Sequence, residues 1–222
     1  MKRRCSWLLP LAMILATALP PLLMPSASLA ADSLKEPSTG VEFSLIRRLP
    51  GQQTDLTLTG VGVRKKLIFK VYGFGFYVDA AAASSHLAAF RGQSADRLAQ
   101  NKAIYESLMT LPGTRLAVMK FVRSVSGAKM KGALGEALEG VAASDPARNA
   151  FLRLWDEEIE SGEEVAIAFF ADGRVVVYRR GREKGSVTSP DVARGLLESW
   201  LGASPVSASI KTGVVARIPE IL

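Results

Sequence analysis

The sequence predicts an α+β domain, a mainly antiparallel sheet with helices packed against it. Three observations carry that prediction. The chain runs through strands, helices, a strand, helices, a hairpin and helices again. Residues 67–78 are apolar on both faces, as suits a central strand covered from both sides. Ala171-Asp172-Gly173-Arg174 sits between two apolar runs, and Asp-Gly in that setting is a strong signal for a tight hairpin.

Residues 1–30 differ in kind from the rest. Lys2, Arg3 and Arg4 precede an apolar stretch from position 7 to 23, and Ser28-Leu29-Ala30 supplies the small-x-small pattern of a cleavage site. Pro10, Pro20 and Pro21 interrupt that stretch, whereas a membrane span needs about 20 unbroken apolar residues. The segment reads as a secretory signal peptide, and the mature chain as a periplasmic protein. Removing it takes away Cys5, the only cysteine, and lowers the net charge from +7 to +4 through loss of three basic residues. No thiol or disulfide chemistry is left to such a chain. Its mild charge and lack of basic–aromatic interleaving argue against nucleic acid as a partner.

The elements follow in order. Residues 31–41 are polar and read as a flexible lead-in to a single domain over 42–222. Strands are predicted over 42–47 and 55–59, with a Pro50-Gly51 turn between them. Gly60 and Gly62 are expected to shape a second turn that aims Arg64 inward. In the strand that follows, one face carries Ile68, Lys70, Tyr72, Phe74, Phe76 and Val78, and the other Leu67, Phe69, Val71, Gly73, Gly75 and Tyr77. Helical composition covers 80–90 and 94–109, and 116–122 alternates as a strand. Ser126 then suits an N-cap, followed by an apolar stripe of Met130, Ala133, Leu134, Ala137, Leu138 and Val141 at helical spacing. Ser144-Asp145-Pro146 starts another helix, with stripe Phe151, Leu154, Trp155 and Ile159. The hairpin strands are 165–170 and 175–179. Ser189-Pro190-Asp191 opens a helix with Ala193, Leu196, Leu197, Trp200 and Leu201 on one side, Gly202 ends it, and an amphipathic piece spans 206–217.

Few residues could carry chemistry. His86, the only histidine, sits in an alanine-rich helix, so histidine triads and multi-histidine metal sites are excluded. The acids at 156–158, 160, 163 and 164 point round a helix end rather than converging, so no metal site is expected. Arg179, Arg180, Arg182 and Lys184 read as a solvated edge, with weak attraction to an anionic membrane surface as the alternative. Gly60-x-Gly62 is no dinucleotide fingerprint, because Lys65 takes the third glycine's place and no helix follows. Arg64 and Tyr72 remain. Spacing alone leaves Arg64 open between an exposed charged turn and a site cation, and Tyr72 between a core tyrosine and a ligand donor.

GVGVRKKLIFKVYGFGFYVD (60–79) resembles the signature of the chalcone isomerase-like superfamily, and the likeness extends through SVSGAKMKGALGEAL (124–138) and SPDVARGLLESWLG (189–202). That resemblance implies an open-faced β-sandwich, a long antiparallel sheet with a helix layer and a ligand cleft between them. It also implies a polar catalytic set: an arginine, a threonine on the strand, and a tyrosine and an asparagine on the next helix. By position these fall on Arg64, Tyr72, Met130 and Ala137, and a further hydroxyl near Ala193. Only the arginine is kept, which points away from isomerisation and assigns no catalytic residue. An arginine with a tyrosine at the strand position instead resembles the fatty-acid-binding branch, where that pair holds a carboxylate. The expected function is a non-enzymatic binder of a fatty acid or similar amphiphilic carboxylate, needing no cofactor. Arg64 and Tyr72 would form its clamp, and Met130, Leu134 and Ala137 its lining. The rival expectations are an isomerase or lyase acting on a conjugated ketone, and a structural or membrane-surface module with a filled cleft.

Overall fold

In the computed structural model, residues 33–142 and 144–222 are described; the predicted signal peptide lies outside them. A small hairpin of β1 (Ser33–Lys35) and β2 (Glu42–Ser44) precedes one seven-stranded sheet. Its strands are β3 (Ile46–Arg48), β4 (Asp55–Lys66), β5 (Phe69–Asp79), β6 (Arg115–Phe121), β7 (Glu164–Phe169), β8 (Arg174–Arg179) and β9 (Arg182–Thr188). Every neighbouring pair is antiparallel, and the spatial order is the chain order. Helices fill the longer connections: α1 (Ala80–His86), α2 (Ala95–Gln100) and α3 (Lys102–Met109) after β5, then α4 (Gly127–Ala137) and α5 (Pro146–Arg153) after β6. After β9 come α6 (Pro190–Leu201), α7 (Ala208–Gly213) and α8 (Ile218–Ile221). This is the α+β class the pattern predicts.

Helix starts obey local chemistry. The side chains of Asp79, Ser94, Asn101, Asp145 and Ser189 accept hydrogen bonds from first-turn N–H groups that would otherwise lack partners. Asn101 divides the helix expected over 94–109 into α2 and α3 by ending one and capping the other.

Period-two alternation sorts the sheet residues into two cores. The inner, helix-covered face carries Tyr72, Phe74, Phe76, Met119, Phe121, Ile167 and Phe169, all buried with side chains from the helices. The outer face carries Leu58, Tyr77, Leu116, Val118, Val176 and Tyr178, packed with Phe43 and Leu49 from the N-terminal segment. Residues 33–41 are therefore not a loose lead-in. Leu34 pairs with Phe43, and buried Glu36 accepts from the Thr39 N–H at 2.7 Å to close the turn. The Tyr77 hydroxyl donates to the Ser44 carbonyl at 2.9 Å, fastening this cover to the sheet.

The glycines of the signature stretch belong to strands, not to a turn. β4 runs unbroken through Gly60 and Gly62, and the second expected turn does not exist. A Cβ on Gly62 would lie 2.5 Å from the Ser209 carbonyl oxygen, and one on Gly60 1.9 Å from that of Gly213. The two glycines let the backbone of α7 lie directly on β4. Beyond β3, α7 and its flanks also satisfy the edge of β4. The Ser207 hydroxyl donates to the Val63 carbonyl at 2.8 Å, and the Arg217 N–H to that of Thr59 at 2.8 Å. On the outer face, Gly73 and Gly75 make room for Val41 and Phe43. Strand β5 starts at Phe69, two residues later than expected, because Leu67 and Ile68 form the β4–β5 turn. A further strand, β9, follows the Arg180-Gly181 turn, where the sequence shows only a charged hairpin exit.

Candidate functional site

The strand register places Arg64 directly opposite Tyr72, both on the helix-covered face. Tyr72 is buried, and its ring packs against Phe121 at 5.2 Å between centroids. Its hydroxyl accepts a hydrogen bond from Trp200 Nε1–H of α6 at 3.5 Å. Among the described residues no acceptor takes the hydroxyl's own proton. Burial raises the pKa of that hydroxyl, opposed by the Trp200 hydrogen bond and by the positive charge of Arg64. It stands as a neutral donor.

Arg64 is half-buried. Its Nη1 donates to two backbone carbonyls, of Lys65 at 2.7 Å and of Val206 in the α6–α7 connection. No carboxylate pairs with it among the described residues, and Nε and Nη2 keep their donors. Arg64 thus offers a guanidinium fork shaped for a carboxylate, and its charge is felt by the Tyr72 phenol across the strand pair.

The lining residues divide. Met130 and Leu134 are buried in the same inner core as Tyr72. Ala137 is only half-buried and lies against α6, where a Cβ on Gly195 would come 3.1 Å from its carbonyl oxygen. Ala133, predicted in the apolar stripe, is exposed. Sequence reasoning missed the supporting residues. Trp200 stands out only as one apolar member of a helix stripe, and the carbonyl of Val206 has no residue-type signature at all. Their signal would have been the chemical need of a buried tyrosine and a half-buried arginine for partners.

A cavity of about 140 Å³ lies instead on the outer face, lined by Arg47, Leu49, Leu116, Glu164 and Tyr178 among others. None of the five expected site residues borders it. Arg47 donates to Glu164 Oε1 at 2.7 Å there, and Lys120 lies 3.6 Å from the other oxygen, so its charges are already matched. Three of the four basic residues at the hairpin exit are matched too. Arg179 reaches Glu163 at 2.6 Å, Arg180 reaches Glu160 and Glu163 at 3.1 Å, and Lys184 reaches Glu157 at 2.9 Å. Part of the acidic run thus meets the basic run, while Glu157 and Glu160 stay open to solvent.

Comparison with known proteins agrees with this architecture. The family model described as chalcone isomerase-like matches residues 39–215. Two curated relatives from Glycine max are chalcone–flavanone isomerase 1A and chalcone–flavanone isomerase 1B-1. The first is 23% identical over 207 residues, covering 82% of this chain and 92% of the relative. The second is 24% identical over 205 residues, covering 81% and 88%. Among solved structures, a fatty-acid binding protein of Arabidopsis thaliana superposes with a TM-score of 0.68 at 21% identity, covering 85% of this chain and 98% of its own. The chain is a member of the chalcone isomerase-like family.

Proposed function

We propose that this protein is a non-enzymatic binder of a fatty acid or similar apolar carboxylate, exported to the periplasm. The observation that carries the reading is the cross-strand pair of Arg64 and Tyr72, with donors in reserve and no carboxylate among the described residues to take them. The inner face beside them is wholly apolar through Phe74, Phe76, Met130 and Leu134. Each methylene of a ligand tail buried there contributes about 0.8 kcal/mol. Association costs on the order of 4–15 kcal/mol, so the tail supplies most of the affinity and the pair fixes the direction of the head. The family resemblance and the shared fold of a fatty-acid binding protein support the same reading.

The test is extraction of protein purified from its own cells, with mass spectrometry of the extract, followed by titration with lauric and palmitic acids. An amphiphilic carboxylate should co-purify, and Arg64→Ala should weaken binding by about 10- to 100-fold, the range of a charged hydrogen bond. Absence of any amphiphile together with unchanged binding by the variant would refute the reading. The isomerase names of the curated relatives favour a second reading, turnover of a conjugated ketone. Met130 and Ala137 stand against it, because they supply no polar group where the family resemblance places a tyrosine and an asparagine. A falling chalcone absorbance that depends on Arg64 would revive it.

A further inference from the structure

The β4–β5 turn is built against ordinary hairpin chemistry. A two-residue turn in which the first residue alone has positive φ favours Gly at that first position, with a small polar residue after it. Here Leu67 and Ile68 occupy it, and Leu67 holds φ 56°, a left-handed conformation that bulky side chains avoid. Both side chains are open to solvent, at 88% and 84% exposure, and Phe69 is half exposed at 49%. Three of the four large apolar residues exposed in the described structure thus lie consecutively at one tip. Nothing in the fold asks for them there.

The surroundings of the tip carry one sign of charge. Lys65, Lys66, Lys70 and Arg123 are exposed, and none forms an ion pair among the described residues. The Arg123 guanidinium lies 4.5 Å over the Phe69 ring, and Lys70 Nζ donates to the Ser38 carbonyl. Along β8 and β9, by contrast, Arg179, Arg180 and Lys184 are matched with carboxylates. An apolar point within a ring of unmatched cations is complementary to a bilayer surface, with acyl chains behind anionic headgroups.

We propose that the β4–β5 tip docks this protein on membranes containing anionic lipid, with Leu67, Ile68 and Phe69 in the interface and Lys65, Lys66, Lys70 and Arg123 on the headgroups. The inference stands on the hairpin alone and is independent of what the inner face binds. Docking there would bring Arg64, three residues before the tip, close to the lipid.

Flotation with vesicles of equal parts phosphatidylglycerol and phosphatidylcholine, and of phosphatidylcholine alone, tests it. The protein used is the form that cells accumulate, its N-terminus read by mass spectrometry. Leu67→Gly/Ile68→Asn gives the turn residues it favours, so this variant should fold with an unchanged or higher Tm. Its partitioning onto the mixed vesicles should fall about tenfold or more, by loss of two insertable side chains. Lys65→Gln/Lys66→Gln should lower partitioning by roughly 30-fold on mixed vesicles, the loss of two lysines from an anionic surface, and leave phosphatidylcholine binding unchanged. Equal partitioning of wild type and the turn variant overturns the proposal. So does failure of the wild type to bind mixed vesicles, including the outcome in which the tip instead joins two copies of the chain in sedimentation.

Discussion

At the scale of single residues, position 72 decides the character of the inner face. A threonine there would offer a short hydroxyl close to the strand. Tyr72 reaches across the core to Trp200 and stays within the field of Arg64. Two effects of Tyr72→Phe can be separated. The Trp200 N–H loses its acceptor while buried, which destabilises the fold by about 1 kcal/mol, seen as a drop of a few degrees in Tm. Independently, carboxylate affinity falls, because the phenolic donor is gone while Arg64 remains. Tyr72→Phe should therefore weaken fatty-acid titrations less than Arg64→Ala, yet lower Tm more, since Arg64 bonds only to carbonyls near the surface. An inverted order of the two variants in either measurement would show that the phenol and guanidinium do not divide the work this way. Both residues were legible in the sequence as candidates, through the family resemblance of the stretch that holds them. Their pairing was not, because the register depends on where the turn falls, and an apolar Leu-Ile turn carries no turn signal.

At the scale of elements, strongly periodic segments were readable and glycine-bearing ones were not. The β7–β8 hairpin announces itself through Asp172-Gly173, and α6 through its serine cap and apolar stripe. Strand β4 misleads, because glycines within a strand look like a turn until something is known to lie on them. What lies on them is α7, which comes from almost 150 residues later in the chain. Strand β9 is hidden by its arginine, glutamate and lysine, which suit a sheet edge and not a core. The same residue type has opposite meaning in α4. Gly132 and Gly135 face open space, so nothing near them requires the missing side chain. Gly132→Ala and Gly135→Ala should each stabilise the protein by about 0.5–1 kcal/mol, the helix-propensity difference, read from denaturant midpoints. Gly62→Ala should cost roughly 3 kcal/mol or more, because its methyl meets the backbone of α7 and that backbone cannot move away without breaking its bonds to β4. If Gly62→Ala is tolerated like the α4 variants, α7 does not seal the strand as described.

At the scale of the whole molecule, a sheet with a core on each face needs both layers held to it, and the two are held differently. Helices cover the inner face with a continuous apolar cluster, whereas the far end of the sheet is tied by charge. Glu163, its side chain 2% exposed, sits between Arg179 at 2.6 Å and Arg180 at 3.1 Å at the point where the α5–β7 connection rejoins β7 and β8. Burial alone would raise its pKa. The hydrogen bond from Arg179, the backbone N–H of Glu160 and the charges of both arginines outweigh burial and hold it below the usual carboxylate value. A folded-state pKa below the unfolded value, about 4.3, means that the contribution is complete above that value and is lost as pH falls through the folded one. Wild-type Tm should therefore drop on acidification below about pH 4 to 5. Glu163→Gln should lower Tm at pH 7, by the roughly 3 kcal/mol expected when one partner of a buried pair is removed, and should flatten the acid limb of the profile. Glu157 also has a lowered pKa, through Lys184 first, but it is exposed, so Glu157→Gln should leave that limb almost unchanged. Thermal melts of the three proteins from pH 3 to 8 separate these cases: an acid limb that stays as steep in Glu163→Gln as in the wild type would place the acid-sensitive tie elsewhere in the fold.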